Sequence, residues 1–344
     1  MSKDNITARH ILSEIDAAIR KSSDGTDHLP DDRYVNQILF LVSNSPGSIT
    51  FLARRLSEIL ETSRDFPRSI KLLVLLHRLL RGGDRFFEQD MRLLWSSGDL
   101  RISPQPYGAT FVMNYSLFLQ ERIEWLINQA GKLEPVRTGD LDSNDCGDKS
   151  VELVIYNASK CQVFFDRAMA CLPENLTMQQ NQLIIFVLNI IVRESLRVYE
   201  SFYEGFEIVV ASFFYLKRPS RISALGIMRK AIWQTPKLQE FYDFCKRVIT
   251  GKKIDFPSIR IITEEDISSM EQFADAKEEE KQMKMTNAQE ENQEVQAFEK
   301  EWSYPFSGKL ETTISTVWVE FSEGEDDLPT EGESSENYKS MVLF

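Results

Sequence analysis

Cysteine and histidine are scarce in this chain of 344 residues, which has four cysteines and three histidines. The cysteines stand at 146, 161, 171 and 245 and form no CxxC pair. A structural zinc site needs four closely placed ligands, so this spacing argues against one. Scattered cysteines in a chain of this length predict reduced thiols and a cytosolic setting. We therefore expect no metal centre and no cofactor.

Long hydrophobic runs are also missing. The longest extends from Leu183 to Leu188 and is broken by Asn189, which makes it too short to span a bilayer. The first twenty residues carry charges throughout and have no continuous apolar core, so they do not resemble a signal peptide. Any membrane contact is expected to be peripheral.

The chain has no overall excess of basic residues, and its net charge is −13. Residues 1–250 contain 30 acidic and 31 basic side chains, whereas residues 251–344 contain 23 acidic and 9 basic ones. This excludes a globally basic nucleic-acid binder but leaves room for a local anion site in the first part. We predict a helical domain over 1–275 and an acidic tail over 276–344, largely disordered from about residue 301.

Catalytic motifs are missing as well: the sequence has no GxGxxG, GxxxxGK[ST], HExxH or GxSxG pattern. His77 lies in the middle of an almost entirely apolar segment, which favours a packed, hydrogen-bonded core histidine over a catalytic base. We expect no catalytic residue. An enzyme would require a pocket with converging titratable groups.

What the sequence does contain is the apolar period of α-helices, with no sustained alternation of the kind strands show. The first helix presents a stripe of Ala, Ile and Leu, which favours packing in a bundle over insertion into a membrane. The aromatic residues between 202 and 215 have helical spacing and are expected in the core. Consecutive helices joined by short loops predict an all-α solenoid or superhelical bundle. Helices are expected near 8–19, 31–42, 51–60, 68–81, 84–95, 111–130, 150–172, 181–217 and 220–250, the last as one helix or a broken pair.

Three stretches, 21–39, 44–60 and 69–87, together resemble the ANTH domain of the clathrin-assembly family of monomeric clathrin adaptors. They are most similar to its short plant-type members, and the resemblance covers roughly residues 1–275. It implies a right-handed ENTH/ANTH-like α-solenoid that binds phosphatidylinositol 4,5-bisphosphate at cytosolic membrane faces. Such proteins act in clathrin-coated pits and vesicles, at the plasma membrane or Golgi, and recruit clathrin through an unstructured tail. Their late helices can also bind R-SNARE helices by groove packing.

The resemblance also implies a headgroup site. Lys21 takes the position of the family's lysine at the end of helix one, Arg33 that of a basic residue and Tyr34 that of a histidine. Asp31 and Asp32 stand where the family often has lysines, and two acids beside the site cancel much of its field. Two interpretations remain open. Either phosphoinositide binding is retained, or the aspartates are plain acids of a helix N-terminus and Arg33 is a solvated surface charge.

The tail contains one distinct motif, in which Trp318 and Phe321 precede an acidic stretch. It resembles the WxxF-acidic peptides that dock on appendage domains of heterotetrameric clathrin adaptors, where two aromatic anchors fill small pockets. A short strand folded back on the helical domain, or a segment without function, are the alternatives. Neither an Asp-Pro-Phe repeat nor a clathrin-box leucine cluster is present, so no motif of the tail predicts direct clathrin contact.

We therefore predict a vesicle-coat adaptor that binds membranes through Lys21, Arg33 and Tyr34 and coat proteins through its tail. The alternative is a helical scaffold that has lost lipid binding and acts only through protein partners.

Overall fold

A computed structural model of the protein describes residues 3–24, 28–45, 47–104, 110–128, 131–136, 148–249 and 254–277. Within them the chain forms eleven helices and one short hairpin. The elements are α1 (Lys3–Ser22), α2 (Asp32–Ser43), α3 (Ser48–Thr62), α4 (Phe66–Gly82), α5 (Arg85–Ser97), α6 (Thr110–Arg122), β1 (Trp125–Ile127), β2 (Leu133–Pro135), α7 (Asp148–Met169), α8 (Leu176–Gln179), α9 (Gln182–Ser212), α10 (Arg218–Val248) and α11 (264–277).

This arrangement confirms the predicted all-α fold class. The described residues belong to a single compact unit. The predicted domain boundary at 275/276 and the disordered tail stay predictions, since residues 278–344 lie outside the described part of the chain.

Helix α4 is the central element of the first half. Residues 69–77 of this helix are all buried, and the helix packs against α1, α2, α3, α6 and α9. Helix α1 packs against α2, α3 and α4 through the buried side chains of Ile15, Ala18 and Ile19. These three side chains therefore belong to the core, as predicted for the apolar stripe of this helix.

Aspartates begin three of these helices. The carboxylates of Asp31, Asp65 and Asp84 accept hydrogen bonds from backbone N–H groups of the first turns of α2, α4 and α5. Each thus satisfies a donor that has no partner within the helix, which stabilises a helix by about 1 kcal/mol.

The prediction of one helix over 111–130 is wrong in its second half. Helix α6 ends at Arg122, and residues 125–127 and 133–135 pair as two antiparallel strands in which Trp125 is opposite Pro135. Gly131 adopts a positive φ of 75° at the turn, a conformation that disfavours any residue with a Cβ. The amide oxygen of Asn128 accepts from Lys132 N at 2.9 Å and closes the turn.

The second half of the unit consists of α7, α9 and α10, which pack on one another. Helix α10 is one continuous helix, even though Pro236 lies inside it and lacks the N–H for one helical hydrogen bond. The expectation that all aromatics of 202–215 are core is wrong for half of them. Phe202, Phe206 and Phe213 are buried, whereas Tyr203, Phe214 and Tyr215 face outward at the end of α9 and in the 3-10 turn after it.

Candidate functional site at the corner between α1 and α2

The predicted headgroup residues lie at the corner where α1 ends and α2 begins. This α1–α2 corner comprises the last turn of α1, the described connecting residues 23–24 and 28–31, and the first turn of α2. Helix α1 ends where the hydroxyls of Ser22 and Ser23 both donate to the carbonyl of Ile19, at 2.9 and 2.8 Å. Lys21 is exposed on this last turn, where a cation is favoured by the helix dipole.

Two cations of α4 bind the two ends of the segment that connects α1 to α2. The Nζ of Lys71, which is 2% exposed, contacts the carboxylate of Asp24 at 2.5 Å and the carbonyl of Asp24 at 3.1 Å. Two helical turns later, the guanidinium of Arg78 donates to the carbonyl of Pro30 at 3.0 Å. The segment is therefore anchored at both ends to the most buried helix.

Asp31 and Asp32 both have partners within the protein. The carboxylate of Asp31 caps α2 by accepting from Arg33 N at 2.8 Å. The carboxylate of Asp32 forms an ion pair with Arg78, whose side chain is 15% exposed. Asp31 and Asp32 thus serve the helix terminus and the anchor to α4.

Arg33 and Tyr34 form a connected pair on the first turn of α2. The guanidinium of Arg33 donates to the Tyr34 hydroxyl at 3.0 Å, and its Cζ lies 5.0 Å from the Tyr34 ring centroid. It also lies 3.8 Å from the Asp31 carboxylate, and the hydroxyl contact together with this carboxylate raises the pKa of Arg33. The Arg33 side chain is 71% exposed, so its remaining donors reach solvent.

The structure brings Arg33 and Tyr34 into contact on α2 and places Lys21 on the last turn of α1. Chemically, the corner can offer two exposed cations and a phenolic hydroxyl to an anion, with charge-assisted bonds as the strong contributions. Arg20, also exposed, is held by Asp16 of the same helix at 2.7 Å.

Sequence reasoning missed the roles of Lys71 and Arg78 in shaping this corner. A signal was present, because both are cations in a leucine-rich helix and are seven residues apart, hence on one face. Their partners Asp24 and Pro30 lie more than 45 residues away in sequence.

The model of the ANTH domain family matches residues 14–276, which is most of the chain. The match includes the whole of the α1–α2 corner. The chain belongs to the ANTH domain family. An Arabidopsis thaliana relative with the provisional name of clathrin assembly protein is 35% identical over 339 residues. The alignment covers 95% of this chain and 90% of the relative's length.

Two longer relatives of this ANTH protein also come from Arabidopsis thaliana. One, also provisionally named a clathrin assembly protein, is 27% identical over 76% of the chain, and clathrin coat assembly protein AP180 is 26% identical over 76%. The chain spans 40% and 45% of their respective lengths. Among solved structures, the ENTH domain of epsin-2 in complex with phosphatidylinositol 4,5-bisphosphate is similar, with 13% sequence identity and a TM-score of 0.41. The alignment covers 72% of this chain and 98% of the epsin-2 chain.

Inside the ANTH domain, His77 is part of a fully buried polar network. Its Nδ1 lies 2.9 Å from the Tyr115 hydroxyl and its Nε2 lies 2.8 Å from the Glu194 carboxylate. Arg122, also fully buried, donates to Glu194 at 3.1 Å and to the carbonyl of Trp125 at 3.0 Å. His77 is thus a hydrogen-bonded core histidine, as predicted.

The charges of this network are fixed by its geometry. Burial lowers the pKa of His77, so the ring is neutral at pH 7. Burial alone would raise the pKa of Glu194, but Arg122 and His77 hold it well below its usual range. An ionised carboxylate can only accept, so Nε2 of His77 carries the proton and Nδ1 accepts from Tyr115. The network ties α4, α6 and α9 together, and Glu194 Oε1 also lies 3.7 Å from Arg81, whose side chain is 33% exposed.

A cleft of about 590 Å³ lies between α7 and α10. An active site there would require converging titratable groups. Its charged residues are already engaged, since Ser220 donates to Glu152 at 3.2 Å and Lys230 pairs with Asp166 at 2.6 Å. Among the described residues that line it, none is a histidine or cysteine. This ANTH protein belongs to a family of non-catalytic adaptor type.

Several further features bear on the sequence predictions. Cys161, Cys171 and Cys245 carry buried free thiols. Over the described ranges, no three His, Cys, Asp or Glu side chains converge as metal ligands would, and no helix has the length and apolarity to cross a bilayer. Trp318 and Phe321 lie outside the described residues, so their assignment to adaptor binding stays a prediction.

Proposed function

We propose that this ANTH-domain protein is a peripheral membrane adaptor of clathrin coats. It attaches to membranes containing phosphatidylinositol 4,5-bisphosphate through Lys21, Arg33 and Tyr34 of the α1–α2 corner, and it takes part in clathrin assembly. The observation that carries the proposal is the family match over 14–276, together with relatives named clathrin assembly proteins.

The geometry of the α1–α2 corner supports the lipid part of this proposal. Arg33 and Lys21 are exposed cations on adjoining helix ends, and the hydroxyl of Tyr34 is already oriented by Arg33. Because Asp31 and Asp32 are occupied by the N-terminus of α2 and by Arg78, part of their charge is compensated within the protein. A phosphorylated inositol then meets donors from two helices.

The remaining partners follow from the sequence motifs and from the family resemblance. Trp318 and Phe321 are proposed to bind appendage domains of heterotetrameric adaptors, and clathrin contact would be direct or through those adaptors. R-SNARE binding belongs to the same proposal, as does a location in coated pits and vesicles of the plasma membrane or Golgi.

The test of lipid binding is co-sedimentation of the full-length chain with phosphatidylcholine vesicles that contain or lack phosphatidylinositol 4,5-bisphosphate. We expect phosphoinositide-dependent pelleting that the variant Lys21→Glu/Arg33→Glu weakens at least tenfold, since each cation near an anionic surface contributes about 1 kcal/mol. The matched control is Lys246→Glu/Arg247→Glu, which reverses two adjacent exposed cations at the end of α10.

A specific observation favours a second candidate function, the scaffold without lipid binding. Asp31 lies 3.8 Å from the Arg33 guanidinium and lowers the positive potential that a phosphate would meet. Absence of phosphoinositide-dependent pelleting at low salt, where charges are least screened, would refute the lipid proposal and favour the scaffold. Equal loss of vesicle binding in the test and control variants would contradict the assignment of the lipid site to Lys21 and Arg33.

A further inference from the structure

Helix α2 has one side in the core and one side in solvent. Val35, Ile38 and Leu41 are buried, and the helix packs against α1, α3 and α4. The opposite side, which we call the α2 outer face, consists of the exposed residues Arg33, Asn36, Phe40, Ser43 and Asn44. These positions recur at steps of three and four, which places them on one side of the helix.

Charged residues are missing from a long stretch that begins directly after Arg33. Residues 34–53 contain no Asp, Glu, Lys or Arg, although these four types make up 27% of the chain. The exposed side of a surface helix normally carries charged residues. Covering a charged side chain costs hydration energy, and the α2 outer face avoids this cost beyond its single arginine. Its composition therefore suits contact with another surface.

Phe40 is the large apolar side chain of the α2 outer face, and it is 68% exposed. It follows Arg33 by two helical turns on the same side of the helix, which is about 10 Å along the axis. A flat surface that touches Arg33 can therefore also reach Phe40. Leu29, which is 48% exposed in the connecting segment of the α1–α2 corner, adds a second apolar side chain to this region.

The backbone at the end of α2 has hydrogen-bond partners within the helix. The amide Nδ2 of Asn44 donates to the carbonyl of Phe40 at 2.7 Å, and the hydroxyl of Ser43 donates to the carbonyl of Leu39 at 2.8 Å. The last carbonyls of a helix otherwise depend on water or on capping groups. Because Asn44 serves the carbonyl of Phe40, the helix end can leave water without an unpaired acceptor beside the Phe40 ring.

We propose that the α2 outer face lies on the membrane surface and that the Phe40 ring enters the interfacial region of the bilayer. This inference rests on the proposed function, because Arg33 belongs both to the α1–α2 corner and to this face. Among the five residues of the face, the charged one is a cation, which suits an anionic surface. A cation at the headgroups beside an aromatic ring below them is the composition of an interfacial contact.

The first test is co-sedimentation of the full-length chain with phosphatidylcholine vesicles that contain phosphatidylinositol 4,5-bisphosphate, at low and high salt. Phe40→Ser is expected to weaken binding about fivefold, since it removes the burial of one partly inserted aromatic ring. Its fractional loss should persist in high salt, whereas the fractional loss caused by Lys21→Glu/Arg33→Glu should shrink there. Because Phe40 is mostly exposed, the melting temperature should stay close to that of the wild type, which excludes unfolding as the cause.

The matched control is Tyr215→Ser, at the far end of α9. Tyr215 is 88% exposed. Phe186, near the start of α9, has its ring centroid 5.7 Å from Cζ of Arg78, which contacts the α1–α2 corner. At 1.5 Å per helical residue, Tyr215 lies roughly 40 Å along α9 from Phe186. This substitution also removes an exposed aromatic ring and is expected to leave vesicle binding unchanged.

Insertion is measured directly with Phe40→Trp and vesicles whose phosphatidylcholine carries bromine on the upper acyl chains, because bromine quenches indole fluorescence at short range. Tryptophan is favoured at membrane interfaces, so this variant is expected to bind at least as tightly as the wild type. Its quenching should exceed that of the wild type, whose own tryptophans set the background. Tyr215→Trp is expected to show no such increase.

The possible outcomes separate this inference from the proposed function. If the wild type does not bind the phosphoinositide vesicles, both are refuted. If binding depends on Lys21 and Arg33 but is unaffected by Phe40→Ser, and Phe40→Trp shows no added quenching, the inference alone is overturned. Equal losses in Phe40→Ser and Tyr215→Ser would also overturn it. So would a Phe40→Ser variant that loses binding to a protein partner and keeps full binding to vesicles.

Discussion

Asp32 governs the charge of the α1–α2 corner because its carboxylate is 73% exposed while it pairs with Arg78. Its negative charge is expected to oppose an anion at the corner, and its pair with Arg78 helps to anchor the segment to α4. A single residue therefore combines an internal contact with an expected effect on ligand affinity.

Removing this charge is expected to strengthen phosphoinositide binding. In Asp32→Asn the repulsion disappears, and at about 8 Å in a water-like medium one pair of unit charges contributes roughly 0.5 kcal/mol. Because the headgroup carries several charges, we expect about threefold or greater tightening in vesicle binding. Asp99→Asn, which removes the partner of Arg54 away from the corner, is the control and should leave binding unchanged. Unchanged or weaker binding in Asp32→Asn would contradict this account.

At the scale of elements, the buried network of His77, Tyr115, Arg122 and Glu194 joins α4, α6 and α9. Arg122→Met should destabilise the domain by about 3–5 kcal/mol, because it leaves the buried carboxylate of Glu194 without its main cation. Chemical denaturation measures this change. The double variant Arg122→Met/Glu194→Gln removes both charges and should recover a large part of the loss. Similar instability of the single and double variants would show that packing, and not charge, dominates.

The same elements show what sequence could and could not predict. Periodicity predicts most of the helices because each buries an apolar stripe, and the segment of α4 stands out because apolar residues surround most of it. The short helix α8 and helix α11 have no counterpart among the predicted helices. The end of α6 was missed because Arg122 turns inward to Glu194, a partner 72 residues away that only the fold brings near. Gly131 was a local signal for the hairpin turn.

The α1–α2 corner shows the same difference between contacts that are local in sequence and contacts that only the fold creates. The resemblance named Lys21, Arg33 and Tyr34, and the contact between Arg33 and Tyr34 is local in sequence. The ion pair of Asp32 with Arg78 joins residues 46 positions apart, so sequence alone could not show whether the aspartate faces a ligand or α4.

At the scale of the whole domain, the buried network makes stability depend on pH. The pKa of His77 is lowered in the folded state by burial, whereas the unfolded chain protonates it near its ordinary value of 6.5. Below that value the unfolded state binds a proton that the folded state does not, so stability falls as the pH drops. The pKa of Glu194 is also lowered, which adds stability above its ordinary value of 4.5 that is lost below it.

We therefore expect the free energy of unfolding to decrease between pH 7 and pH 5, and to decrease further below about pH 4.5, with His77 contributing at most about 1.4 kcal/mol per pH unit. Denaturant titrations at several pH values measure the slope. His77→Gln, whose amide can donate to Glu194 and accept from Tyr115, should lower stability and reduce the slope between pH 7 and pH 5. His28→Gln changes an exposed histidine and should leave the slope intact. If His77→Gln kept the full slope, the acid sensitivity would have to arise elsewhere, and the neutral, buried state of His77 would no longer account for it.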